Sequence, residues 1–295
     1  MSTDLNAASI ARLCLHDHTH FAIQHVQTLH RIELLQHWNL HPGSKVLELG
    51  CGQGDCTTVL ASAVGEDGKV VALDPAELNY GSPYTLGQAQ SHISQGPLGR
   101  RITWVQQAPL DYLSSLSHLP SPGGANERFD AAVLAHSLWY FSSPSLVLST
   151  FIALKQHSKR LLLAEWSLVA THASAQPHVL AALTQAALES QKPTSESNIR
   201  TVLAPKRIIA LALEAGWQLE RETRVPGREG LLDGQWEVAA VLSDDFDREL
   251  KDHVVDERER GYILAARDAC EASVGCVPEG MKGVGSMDVW VASFI

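Results

Sequence analysis

The sequence predicts an α/β protein built on a mainly parallel sheet of seven strands, with helices on both faces. Three features predict it. Short β-rich runs alternate with helix-length amphipathic segments along most of the chain, as in strand–helix–strand units. The first run, Val46-Leu47-Glu48-Leu49, enters a turn with glycines at 50, 52 and 54, and a helix-like segment over 55–64 follows. Such a turn belongs at the carboxyl edge of an open sheet. The closing run over 287–295 is apolar, aromatic and partly alternating, so the last strand falls there.

The elements follow in order. Residues 10–38 are expected to be helical, because Ile23, Val26, Leu29 (or His30) and Leu34 recur at three- and four-residue steps. His41-Pro42-Gly43-Ser44 ends that helix before the first strand at 45–49. The second strand, 69–74, follows the Glu66-Asp67-Gly68 turn. Glycine and proline punctuate 75–101, leaving a short helix at 85–94 before the third strand at 102–105. The segment 116–126 contains Leu-Pro-Ser-Pro-Gly-Gly and reads as a disordered surface loop. Strands at 129–135 and 160–166 flank a helix at 144–155, where Leu146, Val147, Phe151 and Leu154 are apolar. Helices at 177–190 and 205–215 come next, the second opening at Pro205 and closing at Gly216. A sixth strand at 217–225, one or two helices within 231–274, and the terminal strand complete the chain. Phe246, Leu250 and Val254 share one helical face there. No internal repeat is present. The expected organisation is one domain: a helical segment at 1–41, a core sheet at 42–225, a helical insertion at 226–286 and the terminal strand at 287–295.

Bulk composition narrows the function classes. Of 295 residues, 45% are apolar and 19% charged, enough for a large core in a soluble globular protein. The formal charge is −10 and no basic run occurs, which argues against nucleic acid as partner. The five cysteines form no CxxC pair, so free thiols in a reducing compartment are expected. The amino terminus lacks a basic segment followed by an apolar one. No apolar stretch nears the roughly 20 residues needed to cross a bilayer. A cytoplasmic protein without membrane contact is the expectation. Seven of the 14 histidines lie between His16 and His41, including His16-Asp17-His18-Thr19-His20. A helix would scatter positions 16, 18 and 20 around its circumference. A polar helix over a cleft is therefore expected there, and no metal.

Spacing sorts the glycine turn among nucleotide-binding motifs. A dinucleotide turn needs G-x-G-x-x-G, but here Asp55 occupies the position after Gly54, and glycine comes one place early. A phosphate loop ending in Gly-Lys-Ser/Thr is absent. The run Glu48-Leu49-Gly50-Cys51-Gly52-Gln53-Gly54 resembles motif I of the class I S-adenosylmethionine-dependent methyltransferases, with Glu48 in the acidic position. The resemblance covers about 34–217 and the terminal strand. It implies a Rossmann-like sheet whose last strand runs antiparallel, and S-adenosylmethionine as cofactor.

The resemblance also implies site residues. Gly50 and Gly52 would lie against the methionine portion with Cys51 and Gly54 in the same turn, and Glu48 would touch it directly or through water. Asp74, at the end of the second strand and followed by Pro75, can accept both ribose hydroxyls; a plain Asp-Pro turn is the alternative. Many relatives carry an aspartate and an alanine after the third strand. This chain has Gln107-Ala108, and the Gln107 carbonyl oxygen could accept from the adenine amino group without the charge. The segment from Ala135 to Phe141 leaves the fourth strand where ligands sit, and it departs from the Asn/Asp-Pro-Pro-Tyr/Phe signature of amine- and amide-methylating families. Ala135 would border the cofactor. His136 could take a proton from a hydroxyl, since an ordinary imidazole titrates near 6.5, or could simply close the pocket. Trp139 and Tyr140, with Glu165 and Trp166 at the end of the fifth strand, are acceptor-side candidates, as are His20 and Phe21 in the amino-terminal cover.

The implied activity is methyl transfer to a small organic acceptor, first of all to oxygen, by a monomer or homodimer. Two alternatives share the fold: an enzyme that uses the bound sulfonium for dehydration, cyclisation or rearrangement, and a non-catalytic nucleoside-binding regulator.

Overall fold

The computed structural model describes residues 5–118, 128–195 and 197–295. The first half runs α1 (Ala7–Ala11), α2 (Phe21–Gln36), β1 (Lys45–Leu49), α3 (Asp55–Val64), β2 (Lys69–Leu73), α4 (Leu86–Gln95), β3 (Ile102–Val105) and α5 (Pro109–His118). Then come β4 (Ala131–Ala135), α6 (Pro144–His157), β5 (Leu161–Trp166), α7 (Gln176–Glu189), α8 (Pro205–Glu214) and β6 (Leu219–Val225). The chain ends with α9 (Asp233–Val241), α10 (Asp244–His253), α11 (Glu257–Gly275) and β7 (Val289–Phe294).

The strands form one sheet in the order β3-β2-β1-β4-β5-β7-β6. β1 to β5 pair in parallel, and β7 lies antiparallel between β5 and β6. Strand order reverses between β1 and β4, so the crevice at their carboxyl ends is the expected ligand position. Successive strand residues point to opposite faces. Val46, Ala131, Val133, Leu162 and Ala164 pack with Leu34, Trp38 and Leu60 on one side. Leu47, Leu49, Ala132, Leu134, Leu161 and Leu163 pack with Phe151, Ile208 and Trp217 on the other. Both faces are therefore sealed by helices, and the strands read as nearly continuous apolar runs.

Local chemistry sets the helix ends. Thr85 and Gln88 form a reciprocal capping box at α4, Ser143 caps α6 just before Pro144, and Asp256 caps α11. α7, α9, α10 and α11 share a second core of Ala181, Leu188, Val238, Phe246, Leu250, Val254, Ile263 and Cys270. The helices at 171–204 and the 226–286 insertion thus build one helical layer rather than two separate decorations.

Four expectations change. The amino-terminal region is not one helix over 10–38: α1 stops at Ala11, and residues 12–17 are non-helical. Asp17 causes the restart, since its carboxylate accepts from the backbone and hydroxyl of Thr19 at 2.8 and 2.7 Å. Residues 116–118, placed in the loop, belong to α5, which Pro109 opens in the position that tolerates a missing N–H. The remainder of that loop lies outside the described residues. The fourth strand starts at Ala131; Phe129 makes only an isolated bridge to Ser158. Within 231–274 there are three helices, because Ser243 and Asp256 each start a new one. Among the described residues no helix is long and apolar enough to cross a membrane.

Candidate functional site

The glycine turn is built by contacts a side chain would forbid. Gly50 has φ +76°, and a β-carbon there would lie 2.4 Å from the Ser137 β-carbon. The Ser137 hydroxyl donates to the Leu49 carbonyl at 2.8 Å, so the segment after β4 is clamped onto the end of β1. A β-carbon on Gly54 would strike Ile93 and Trp104 at 2.7 and 2.8 Å. Gly52 is different. Its φ is +51°, and the space where a β-carbon would project is empty to 4 Å.

Asp74 fixes this opening. One carboxylate oxygen accepts from the Gly52 N–H at 2.8 Å, the other from the Ala76 N–H at 2.9 Å. Each oxygen keeps a lone pair, and no basic side chain pairs with it among the described residues. Gln90, which sequence reasoning missed, donates to the Gly52 carbonyl at 2.9 Å, and Gln53 donates to Tyr84 at 2.7 Å. Pro75 is exposed after Asp74; Gln107 and Ala108 are exposed beyond β3, and Ala135 is half-buried at the end of β4. Glu48 sits beneath the turn, 1% exposed, accepting from the Thr57 hydroxyl at 2.6 Å. Burial pushes its carboxyl up to about 7 despite hydrogen bonds from Thr57 and Cys56. Cys51 is buried as well, and desolvation beside Glu48 and Asp74 holds its thiol well above the usual range.

The open side of Gly52 and the unpaired carboxylate of Asp74 fit an amino-acid-plus-nucleoside ligand: one gives room for backbone approach, the other free acceptors for a sugar diol.

Across the crevice, His136 adopts φ +54° at the end of β4, with its N–H bonded to the Ala164 carbonyl at 2.8 Å. Its Nε2 is 2.8 Å from Nε2 of His30 on α2, and its Nδ1 is 3.7 Å from Oε1 of Glu165. Glu165 is 1% exposed and accepts from the N–H groups of Leu138 and Trp166, both at 2.9 Å. It therefore holds the backbone after β4 and β5 rather than reaching outward. The Trp166 ring lies 4.3 Å from that of His136, stacks on His30 at 6.2 Å and meets His178 of α7 edge-on at 4.9 Å.

The remaining candidates divide. Tyr140 is 43% exposed; burial of its hydroxyl end, with the charges of Glu237, Glu165 and Asp233, pushes the phenol up from its usual range. Trp139 is buried, donates to the Leu203 carbonyl at 3.2 Å and is part of the core. His20 is exposed and paired with Asp17 at 3.0 Å, and Phe21 stacks on His25. Ten helical residues separate His20 from His30, about 15 Å along the axis, so neither His20 nor Phe21 joins the imidazole cluster.

Sequence reasoning missed His30, His178, Asp233 and Glu237, which a linear motif does not mark. His30 is 1% exposed, and burial holds it well below the usual imidazole range. His178 accepts the Met287 N–H on Nδ1 at 3.0 Å, so its hydrogen is on Nε2, which has no partner among the described residues. Burial lowers it to about 4. Asp233 and Glu237 are one helical turn apart on α9; Asp233 accepts from Gln27 at 2.8 Å, and burial beside Asp233 pushes Glu237 up to about 7. Open depressions between the end of α7 and the α10–α11 junction, lined by Gln191, His253, Asp256 and Tyr262, include none of these groups. Among the described residues no histidine, cysteine or carboxylate group is arranged to hold a metal ion.

Comparison with known proteins finds relatives of this chain. The family model for protein-L-isoaspartate(D-aspartate) O-methyltransferase matches residues 16–112, the span holding the glycine turn, Asp74 and Gln107. Methyltransferase phomM′ of Diaporthe leptostromiformis is 29% identical over 279 residues, covering 84% of this chain and 72% of that protein. The crystal structure of a cyclopropane-fatty-acyl-phospholipid synthase-like protein from Lactobacillus casei superposes with a TM-score of 0.83 at 30% identity, covering 98% of each chain. The chain is a class I S-adenosylmethionine-dependent methyltransferase. This methyltransferase also shares 51% identity over 47 residues with demethylmenaquinone methyltransferase of Bacillus mycoides, 16% of this chain and 20% of that one. S-adenosylmethionine is its cofactor.

Proposed function

We propose that this methyltransferase methylates an oxygen atom of a small organic acceptor, with His136 taking the proton that the oxygen gives up. The observation behind this reading is the position of His136: its imidazole leaves β4 next to the Gly50–Ser137 contact, with Glu165 3.7 Å from Nδ1. The matched family model is itself named for O-methyl transfer.

The sulfonium supplies an already activated methyl carbon. The chain's own residues then have to hold, align and exclude water. Glu48, Gly50, Cys51, Gly52, Gly54, Asp74 and Pro75 would form the cofactor cradle, Gln107 and Ala108 its adenine end, and Ala135 the wall next to β4. Alignment of reacting groups can supply about 7–11 kcal/mol, and a positioned base typically 10²–10⁴-fold, so positioning dominates. Trp166 and Tyr140 would face the acceptor. α2, α7 and α9 close over the strand ends, which suits a small molecule better than a macromolecule. The chain acts as one methyltransferase domain, in the cytoplasm, as a monomer or homodimer.

The test is methyl transfer from labelled S-adenosylmethionine to a panel of phenols, alcohols, carboxylic acids, amines and thiols. Product label on oxygen, and a His136→Asn loss larger for hydroxyls than for already ionised acceptors, is the expected result. Label confined to nitrogen, sulfur or carbon products overturns the oxygen assignment.

A further inference from the structure

We infer that Asp233 and Glu237 of α9, with the ring N–H of His178, form a subsite for an acceptor that carries both a protonated nitrogen and an oxygen. The inference rests on reading the crevice between β4 and α9 as the acceptor side, and not on which atom receives the methyl group. The two carboxylates are half-buried and stand four residues apart on one helix, so they share a face. Neither has an ion pair among the described residues; Arg228, shortly before α9, is taken by Glu33 at 2.6 Å. The only charge acting on Glu237 is that of Asp233, which repels it. Asp233 commits one oxygen to the Gln27 amide at 2.8 Å, and the Glu237 side chain has no hydrogen bond among the described residues. Tyr140 brings its phenol to the same place, where Glu237, Glu165 and Asp233 all act on it. Like charges held together without a counter-ion favour a bound cation, and a neighbouring aromatic ring adds to that attraction.

An independent observation supplies the oxygen. His178 of α7 is fully buried, and its Nδ1 accepts the Met287 N–H, so its own hydrogen is on Nε2 at the opposite edge of the ring. That N–H has no partner among the described residues. The two titratable groups that act on His178 are Asp233 and His136. Both lie toward the same side of α2, because Gln27 bonds Asp233 and His30, three residues on, bonds His136. The unused N–H is thereby aimed into the space between α9 and the end of β4. A buried donor without an acceptor is costly, and a ligand oxygen removes that cost. An ammonium cannot do so, since it has no lone pair. The same chemistry divides the ligand's two atoms between two roles. The carboxylates hold the nitrogen in its charged form, which cannot attack a methyl carbon, while the oxygen keeps its lone pairs. A subsite of this kind steers the methyl group away from nitrogen without excluding amines from the crevice.

The experiment measures binding to the full chain, saturated with S-adenosylhomocysteine at pH 8, of three phenols that differ only at the end of the side chain. Tyramine ends in an ammonium, 4-propylphenol in a methyl group and 3-(4-hydroxyphenyl)propanoate in a carboxylate. Tyramine should bind at least about tenfold more tightly than 4-propylphenol, with the propanoate weakest. A merely apolar crevice gives the reverse order for the first two, because the methyl group is the easier to desolvate. Glu237→Gln should weaken tyramine about tenfold and 4-propylphenol less than about threefold; Asp233→Asn, which still accepts from Gln27, covers the case in which the first variant does not fold. His178→Phe should weaken all three phenols alike, since it removes the donor to the oxygen they share. Tyramine binding that is absent at millimolar concentration, no tighter than that of 4-propylphenol, unchanged in Glu237→Gln and Asp233→Asn, or displaced by equimolar magnesium chloride overturns the cation subsite; affinities unaltered in His178→Phe overturn its oxygen contact. None of these readouts requires turnover, so they can fail while oxygen methylation stands, or hold while it falls.

Discussion

Asp74 is the residue whose loss should separate cofactor binding from folding, and asparagine is the sharper substitution. In the wild type its two oxygens receive the N–H groups of Gly52 and Ala76, at 2.8 and 2.9 Å. An amide has one accepting oxygen, so whichever way it turns, an NH₂ group faces one of those backbone donors. One hydrogen bond to a charged acceptor disappears, a loss of about 1.5–3 kcal/mol. If the remaining lone pairs accept a ribose diol, half of that acceptance goes too. Affinity for S-adenosylhomocysteine should therefore fall by roughly 10- to 1,000-fold. The unliganded protein should lose only a few degrees of melting temperature. Calorimetric titration together with thermal unfolding measures both. Glu77→Gln, on the same loop but exposed, with its side chain accepting from Gln106 at 3.1 Å, is the control and should bind normally. An Asp74→Asn protein that binds within threefold of wild type would refute the assignment of the ribose site.

Three further outcomes are expected. Gly50→Ala places a β-carbon 2.4 Å from that of Ser137 at φ +76°, so it should abolish S-adenosylhomocysteine binding and cost well over the 1–2 kcal/mol of a left-handed residue; Gly43→Ala, at φ +80° with open space around it, should cost only that backbone share in urea unfolding. Glu48 ionises near 4.5 when unfolded and near 7 in the fold, so the unfolded state gives up its proton first, and stability falls as pH rises from about 4.5 to 7, by at most about 3 kcal/mol. Glu237 acts with the same sign over that window; Glu48→Gln should flatten the fall, and equal slopes for variant and wild type in urea unfolding at pH 5 and 8 would contradict it. His136→Asn should lower kcat for a hydroxyl acceptor by about 10²–10⁴ while leaving S-adenosylhomocysteine affinity nearly intact, and steady-state kinetics with calorimetry would show otherwise if His136 only walls the pocket.

The half of the site that follows a single turn of chain was legible in the sequence. Gly50 and Gly54 take part in contacts that only a hydrogen side chain permits, Gly52 holds a left-handed backbone beside open space, and Asp74 is a strand-end carboxylate bonded to Gly52. The nearly continuous apolar runs of β1, β4 and β5 likewise announced the two packed faces. What stayed hidden depends on long-range partners. Glu165 had the right place for an outward carboxylate, yet its backbone neighbours Leu138 and Trp166 claim it. Trp139 adjoins the site in sequence but turns into the core. His178 and Asp233 come from helices far along the chain, and no spacing rule relates them to β4.

α2 shows why its apolar periodicity misled and why its polar residues matter more. Ile23, Val26 and Leu29 are only half-buried, whereas Gln27, Thr28 and His30 are buried along with Ile32 and Leu34. Its polar side chains at positions 24, 27 and 30 recur every three residues and so climb one side of the helix. Gln24 donates to Asp55 at the start of α3 at 2.8 Å, Gln27 donates to Asp233 of α9, and His30 meets His136 of β4. One helix is thereby bonded in turn to the cofactor-side helix, the helical layer and the strand end that carries the proposed base. A buried amide or imidazole left unpaired costs about 1–3 kcal/mol, so these bonds fix the rotation and height of α2 as apolar packing alone would not. Because the same helix touches both walls of the crevice, a shift of α2 moves the groups facing the cofactor and the groups facing the acceptor together. Gln27→Leu tests this. It removes a contact with Asp233 and touches neither His136 nor the glycine turn, yet it should weaken both acceptor KM and S-adenosylhomocysteine affinity. Loss of neither would mean that α2 is held as a rigid wall by its other contacts.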